Sequence, residues 1–175
     1  MLIEGRQTKV IMEINKYLTQ ISDENKKCIL DLYNYLISKK VQAKSGIRFD
    51  YKKHYLLVII TDSPELNLRV SLCQNKKNNY KYILEEIGKS PDKNDLLVYI
   101  ANNIQYCDSC ENKKDNDCGQ GTEFFGEQRK ICSFGRGLLI LSKKNNNDKN
   151  YYDYDIKMLK QILDLRIKEI DNFMP

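Results

Sequence analysis

Hydrophobic residues recur every three or four positions in the first part of the chain, which is the spacing of a helix packed along one side. Ser22 precedes the clearest of these stretches, and Asp23 and Glu24 follow it. A serine N-cap and an acidic first turn stabilise the start of a helix. The pattern therefore predicts a helix over Asp23–Lys39, with a shorter helical turn before it over residues 14–18.

After Gly46 the pattern changes to short strand-like runs. Tyr55–Thr61 is almost wholly apolar and rich in β-branched residues, as in a central strand. Residues 66–73 alternate between apolar and polar, as in a strand with one buried face, and Ile47–Tyr51 is the weakest of the three runs. The links between the runs are short and turn-like, which predicts an antiparallel meander.

The second half of the chain combines helical and strand patterns. We expect a short helix over Tyr80–Ile87, a further helix that begins at Pro91, and a strand over Leu138–Leu141. After a polar loop, Asp153 or Asp155 is expected to cap a final helix. One stripe of that helix is apolar and comprises Ile156, Leu159, Leu163, Ile167, Ile170 and Phe173.

The 175 residues are enough for one compact domain with a hydrophobic core. The elements predict a single α+β domain over residues 12–175, in which a central, mostly antiparallel sheet is flanked by helices. Residues 1–11 are expected to form a loose extension, and they lack the apolar stretch of a secretion signal. No apolar run approaches the roughly 20 residues of a membrane span, so we expect a cytoplasmic protein.

The formal net charge of +5 comes mainly from lysine, which far outnumbers arginine. Lysine gives a diffuse, solvated charge, whereas contacts to phosphates and bases favour the planar fork of arginine. No run of five like charges occurs in the sequence. The charge therefore does not favour nucleic-acid binding, although it leaves it open. A protein or a small ligand is the other kind of partner to expect.

The most informative segment contains four cysteines in a C-x2-C-x7-C-x13-C order, namely Cys107, Cys110, Cys118 and Cys132. A C-x2-C turn holds two thiolates at the geometry of tetrahedral zinc, and Cys118 followed by Gly119 resembles half of a zinc knuckle. The stretch between the outer cysteines has too few apolar residues for a core of its own. Zinc bound by four thiolates would close this long loop and contribute folding free energy, so we expect a structural zinc site.

Three other interpretations of the cysteines stay open. Cys107 and Cys110 could form a redox-active dithiol, four thiolates could hold an iron–sulfur cluster, or the cysteines could be inert in a mobile loop. Cys28 and Cys73 lie outside the cluster and are expected to be packing residues.

The sequence contains no recognisable catalytic constellation. His54 is the only histidine, which excludes a histidine-rich metal site, and we expect a surface or partly buried imidazole there. Four cysteine ligands would fill the coordination sphere of zinc and leave no position for a reacting water. Nucleotide-binding and nucleophile motifs are absent, so an enzyme is the less favoured class.

Two phenylalanines and two arginines accompany the cysteines and form a candidate recognition surface: Phe124, Phe125, Arg129 and Arg136. Loops held in position by a rigid scaffold often bind partners, and arginine and aromatic residues are both common at interfaces. The alternative is that the phenylalanines pack over the zinc and keep water from the thiolates.

The order Tyr-Cys-x2-Cys, then Cys118-Gly119, then Phe125-Gly126 ahead of Cys132, resembles uncharacterised four-cysteine proteins of low-GC bacteria over residues 106–141. Residues 155–166 are similar to the closing helix of that group. The order of elements also looks like the small YdhG-type α/β domains, in which a last helix with leucine and arginine packs on the sheet. These resemblances imply the fold and the metal, and neither implies an activity.

The leading hypothesis is a non-enzymatic binding or regulatory module with a structural zinc ion. One alternative is a thiol-redox or metal-handling protein that uses the C-x2-C pair. The other is a nucleic-acid-binding protein that uses scattered lysines together with Arg129 and Arg136.

Overall fold

The computed structural model describes the backbone of residues 12, 14–44, 47–60, 67–72, 81–104, 119–124, 127–132, 138–142 and 151–173. Side chains are described for these residues except 60, 67, 81, 119–124, 127, 129–132, 138–142 and 151–155. The extension expected over residues 1–11 lies outside these ranges.

Within these ranges the chain combines helices with antiparallel strands, which confirms the α+β class. The helices are α1 (Asp23–Ser38), α2 (Lys81–Gly88), α3 (Lys93–Asn103) and α4 (Tyr151–Phe173), preceded by a helical segment at 14–18. The strands are β1 (Gln42–Lys44), β2 (Arg48–Tyr51), β3 (His54–Ile60), β4 (Asn67–Ser71), β5 (Gly119–Phe124), β6 (Glu127–Cys132) and β7 (Leu138–Ser142). None of the described helices combines the length and the apolar character needed to cross a membrane.

The first long helix begins as its sequence predicts. The Ser22 side chain accepts a hydrogen bond from the backbone N–H of Asn25 over 3.3 Å, and Asp23 and Glu24 occupy the first turn. Such a cap satisfies one of the backbone donors that a helix start leaves without a partner. The helix predicted to end at Lys39 ends one residue earlier, because Lys39 is its C-cap.

Five strands form one antiparallel sheet in the order β1-β2-β3-β4-β7. The predicted meander supplies β2, β3 and β4, and β7 pairs with β4 along its whole length. β2 and β3 are joined by the two residues Lys52 and Lys53, whose φ angles of 46° and 70° are both left-handed. Positive φ at both central residues is the pattern of the tight type I′ hairpin turn.

The two faces of this sheet differ in polarity. Phe49, Leu57 and Val70 are register partners across β2, β3 and β4, and all three are buried. The helices cover this side, since the ring of Tyr33 in α1 contacts that of Phe49 edge to face at 6.2 Å. On the opposite face the neighbouring register positions are Arg48, Val58 and Arg69, and both arginines are exposed.

Helix α4 lies in the middle of the helical layer. On the side of α1, Lys160 pairs with Asp31 over 2.7 Å, and the Tyr35 hydroxyl donates to the Lys160 carbonyl over 3.0 Å. On the other side, the Asn172 amide donates to the Tyr82 hydroxyl of α2 over 3.1 Å. Within the predicted apolar stripe, Ile156, Leu159, Leu163 and Ile170 are buried and Ile167 is partly buried. The prediction is wrong for Phe173, which is 62% exposed near the end of the helix.

A hairpin within the cysteine segment was not predicted. Strands β5 and β6 pair antiparallel from Gly119 with Cys132 to Phe124 with Glu127. The stretch expected to be one long loop therefore contains two paired strands. Backbone hydrogen bonding stabilises a hairpin even where apolar residues are few, and the hydrophobic pattern does not record it.

Candidate functional site

Of the four cysteines of the predicted zinc site, one is among the described residues. Cys107, Cys110 and Cys118 are outside the described residues, and Cys132 is described only as the last backbone position of β6. The register pairs Gly119 with Cys132. The zinc site therefore stays a prediction.

The proposed recognition residues are divided in the same way. Phe124 ends β5 and Arg129 lies within β6 opposite Thr122, whereas Phe125 and Arg136 lie outside the described residues. Alternate positions of an antiparallel ladder share a side. Positions 124 and 129 therefore share one side of the hairpin, and position 132 is on the other.

The remaining described residues show no alternative metal centre. Among the side chains in the described ranges, no three of the His, Cys, Asp and Glu type come together as metal ligands. His54 begins β3 and is partly buried, in line with the sequence analysis. Cys28 is buried in α1 with 1% of its surface exposed, as expected of a packing residue, and Cys73 lies outside the described part.

Sequence reasoning missed a polar network on the sheet face opposite the helices. The guanidinium of Arg48 donates to the Asp50 carboxylate through Nε over 2.7 Å and through Nη2 over 3.2 Å. Lys44 Nζ lies 2.8 Å from Oδ2 of the same carboxylate. The only available signal was the spacing of Arg48 and Asp50, since residues two apart on a strand share a face.

The network extends to the neighbouring strands through an aromatic ring. The Arg48 guanidinium lies 5.3 Å from the centroid of the Tyr55 ring, within the range of a cation–π contact. The Tyr55 hydroxyl donates to the carbonyl of Arg69 over 3.1 Å. Burial raises the pKa of Tyr55 to about 12, so the phenol stays protonated and keeps this hydrogen bond at neutral pH.

The carboxyl of Asp50 is fully buried, and burial by itself opposes its ionisation. The hydrogen bonds from Arg48 and Lys44 outweigh that effect, so the pKa of Asp50 lies below its usual value. Asp50 is therefore an anion at neutral pH that holds two cations against the sheet.

A second buried polar pair lies in the helical layer. Arg166 of α4 donates through Nη1 to the Glu169 carboxylate, and both side chains are almost completely buried. Its Nε and Nη2 atoms have no hydrogen-bond partner in the part of the chain that is described. The resemblance to YdhG-type domains anticipated an arginine on the last helix, but no sequence pattern indicated that it would be buried.

Comparisons with family models, curated proteins and solved structures gave no match. The likeness to four-cysteine proteins and to YdhG-type domains therefore stays a prediction from the sequence.

Proposed function

We propose that this protein is a non-enzymatic binding or regulatory module of the cytoplasm, in which one structural zinc ion fastens residues 107–132. Cys107, Cys110, Cys118 and Cys132 would be the four ligands. Four thiolates complete the tetrahedral coordination of zinc, so the metal would stabilise the fold and leave no site for a reacting water.

The register of the β5–β6 hairpin is the observation that best supports this proposal. Gly119 is the Cα partner of Cys132, and Cys118 precedes Gly119 in the chain. Antiparallel partners have Cα atoms about 5 Å apart, and consecutive Cα atoms are about 3.8 Å apart. Because Cys118 directly precedes Gly119 in the chain, this register supports the proposal that Cys118 and Cys132 are two ligands of one metal.

The same hairpin brings two of the candidate recognition positions to one side of the ladder. Positions 124 and 129 share the side of the ladder opposite to position 132. This register supports Phe124 and Arg129 as part of a surface that contacts a partner.

The described acidic groups with shifted pKa values favour a module without catalysis. Each of these acidic groups has a cation as ion-pair partner: Asp23 has Lys26, Asp50 has Arg48, Glu86 has Lys168, Asp171 has Lys52 and Glu169 has Arg166. Shifted groups are catalytic candidates when they lie in a cleft without a structural explanation. Here the cationic partners account for the four lowered pKa values, those of Asp50 and Asp171 included, and burial accounts for the raised pKa of Glu169.

Elemental analysis of protein purified without added metal tests the proposal. We expect one zinc per chain in the parent protein and in Cys28→Ser, the matched control from the packed core, and none in Cys110→Ser. Stoichiometric iron or an absence of metal would contradict the zinc site. Reversible oxidation of Cys107 and Cys110 with ready metal exchange would instead favour the thiol-redox alternative.

A further inference from the structure

The sheet face opposite the helices carries a row of cations. Lys44, Arg48 and Arg69 belong to β1, β2 and β4, and Val58 of β3 is the register partner between the two arginines. All three cationic residues are exposed, and the side chains of Lys44 and Arg48 retain 46% and 48% of their surface. This set of three is the cationic row.

The row has a net positive charge. Asp50 is the only acidic residue in β1 to β4, and its carboxylate is fully buried beneath Lys44 and Arg48. Arg69 forms no ion pair with any residue in the described ranges. One buried anion against three exposed cations leaves the described part of this face positive towards solvent.

Arg48 is held in place before any partner binds. Its Nε and Nη2 atoms are bound by Asp50, and its guanidinium lies against the Tyr55 ring. An arginine fixed in this way loses less side-chain freedom on binding than a free lysine does. Arg69 stands two strands away, about 10 Å along the sheet, because neighbouring strands are about 4.8 Å apart.

We infer that the cationic row binds the phosphate backbone of a single-stranded nucleic acid lying across the sheet. Two of the three cations are arginine in a chain dominated by lysine. Arg69 can offer a phosphate a planar, bidentate fork, and Arg48, whose Nε and Nη2 atoms bind Asp50, contributes its charge. A sheet face with exposed cations accommodates an extended strand of nucleotides. The inference deepens the proposed function, on whose binding role it rests, but it does not require the zinc.

Fluorescence anisotropy with labelled oligothymidylate and oligouridylate tests this inference on the full chain. We expect binding at low salt, and the logarithm of the association constant should fall linearly with the logarithm of the salt concentration. Arg69→Gln should weaken binding about tenfold. It should also flatten the salt slope by about 0.7, the value for one phosphate contact on a single strand.

Matched variants distinguish binding at the cationic row from an effect of the overall positive charge of the protein. Lys157→Gln removes an equal charge from an exposed position of α4 in the helical layer and should leave binding unchanged. Arg69→Lys keeps the charge without the fork and should bind with intermediate affinity. Equal effects of Arg69→Gln and Lys157→Gln would overturn the inference, as would equal competition by polyglutamate, which indicates an acidic protein partner.

Zinc measured on the same samples keeps the two proposals distinguishable. Zinc-loaded protein that binds no oligonucleotide at low salt contradicts the cationic row alone. Metal-free protein that binds with the expected dependence on Arg69 contradicts the zinc site alone and supports the row.

Discussion

Arg166 and Glu169 form an ion pair one turn apart on α4, inside the hydrophobic core. The exposed fraction of the Arg166 side chain is 0% and that of Glu169 is 5%. Burial raises the pKa of Glu169, and the attraction of Arg166 offsets this only in part. The raised pKa favours the folded state below the unfolded value of 4.5, and this contribution is lost as the pH rises through the folded-state value. At neutral pH the pair therefore costs free energy that the apolar packing around it must offset.

Single replacements in this pair should have unequal effects. Glu169→Leu should lower the free energy of unfolding by about 3 kcal/mol, because it leaves a buried guanidinium without its anion. Arg166→Met should lower the free energy of unfolding by less. The Glu169 carboxyl that it leaves buried can take up a proton, whereas a buried guanidinium cannot lose one. Urea denaturation at neutral pH measures both values.

The double variant Arg166→Met with Glu169→Leu is the matched control for these two changes. It removes both charges, and its free energy of unfolding should be within about 1 kcal/mol of that of the parent protein, or higher. A double variant whose loss equals the sum of the two single losses would show that the pair does not act as a unit.

Asp50 should make the stability of the protein sensitive to acid. Because its pKa is lowered from 3.8 in the folded state, its contribution is complete above that value and is lost as the pH falls through the folded-state pKa. Asp50→Asn should cost about 1–2 kcal/mol at neutral pH and should flatten the decline of stability below about pH 4. Denaturation at neutral pH and at about pH 3 measures the difference.

An exposed acid provides the comparison for Asp50. Asp95→Asn changes the same functional group in α3 at an exposed position, and its effect should stay within about 0.5 kcal/mol. The interpretation of Asp50 as a buried anchor fails if the two variants have the same stability at neutral pH.

The turn between β2 and β3 offers a stabilising replacement. Lys53 has a φ of 70°, a conformation that costs a residue with a Cβ roughly 1 kcal/mol, and glycine avoids this cost. Lys53→Gly should raise the free energy of unfolding by about 0.5 kcal/mol, after the greater freedom of glycine in the unfolded chain is included. Lys53→Ala retains the Cβ and should bring no gain. The neighbouring Lys52 is left unchanged, because it pairs with Asp171 over 3.0 Å.

The zinc proposal predicts a large difference between two cysteine replacements. Cys110→Ser removes a ligand and should lower the free energy of unfolding by about 4 kcal/mol or more. Cys28→Ser places a hydroxyl in the core and should cost about 1–2 kcal/mol. Thermal melts with and without a chelator check this, and equal melting temperatures for Cys110→Ser and the parent protein would rule out a structural metal.

Local patterns predicted most of the regular elements. Periodicity and capping chemistry are enough to locate elements that depend on neighbours within a few positions. These elements are the N-cap at Ser22, the three runs that form β2, β3 and β4, and the stripe of α4. The β5–β6 hairpin was missed, because its residues show no apolar alternation. Strand β1 was missed as well, since three residues are too few for a period.

The polar networks could not be located in the same way. Nothing local distinguishes Arg166 from the exposed lysines around it on α4, or Asp50 from a surface aspartate. Burial of each depends on which elements pack against it, and those elements are distant in the chain.

The sequence by itself determined the class of fold, the main helices and strands, and the spacing of four cysteines that favours zinc. The tertiary structure decided that β7 closes the sheet beside β4, that Arg166 and Glu169 lie in the core, and that Arg48 and Arg69 share an exposed face. The physical reason is that secondary structure follows from short-range periodicity and capping. Burial and the assembly of charges depend instead on strand pairing and helix packing between residues far apart in the chain.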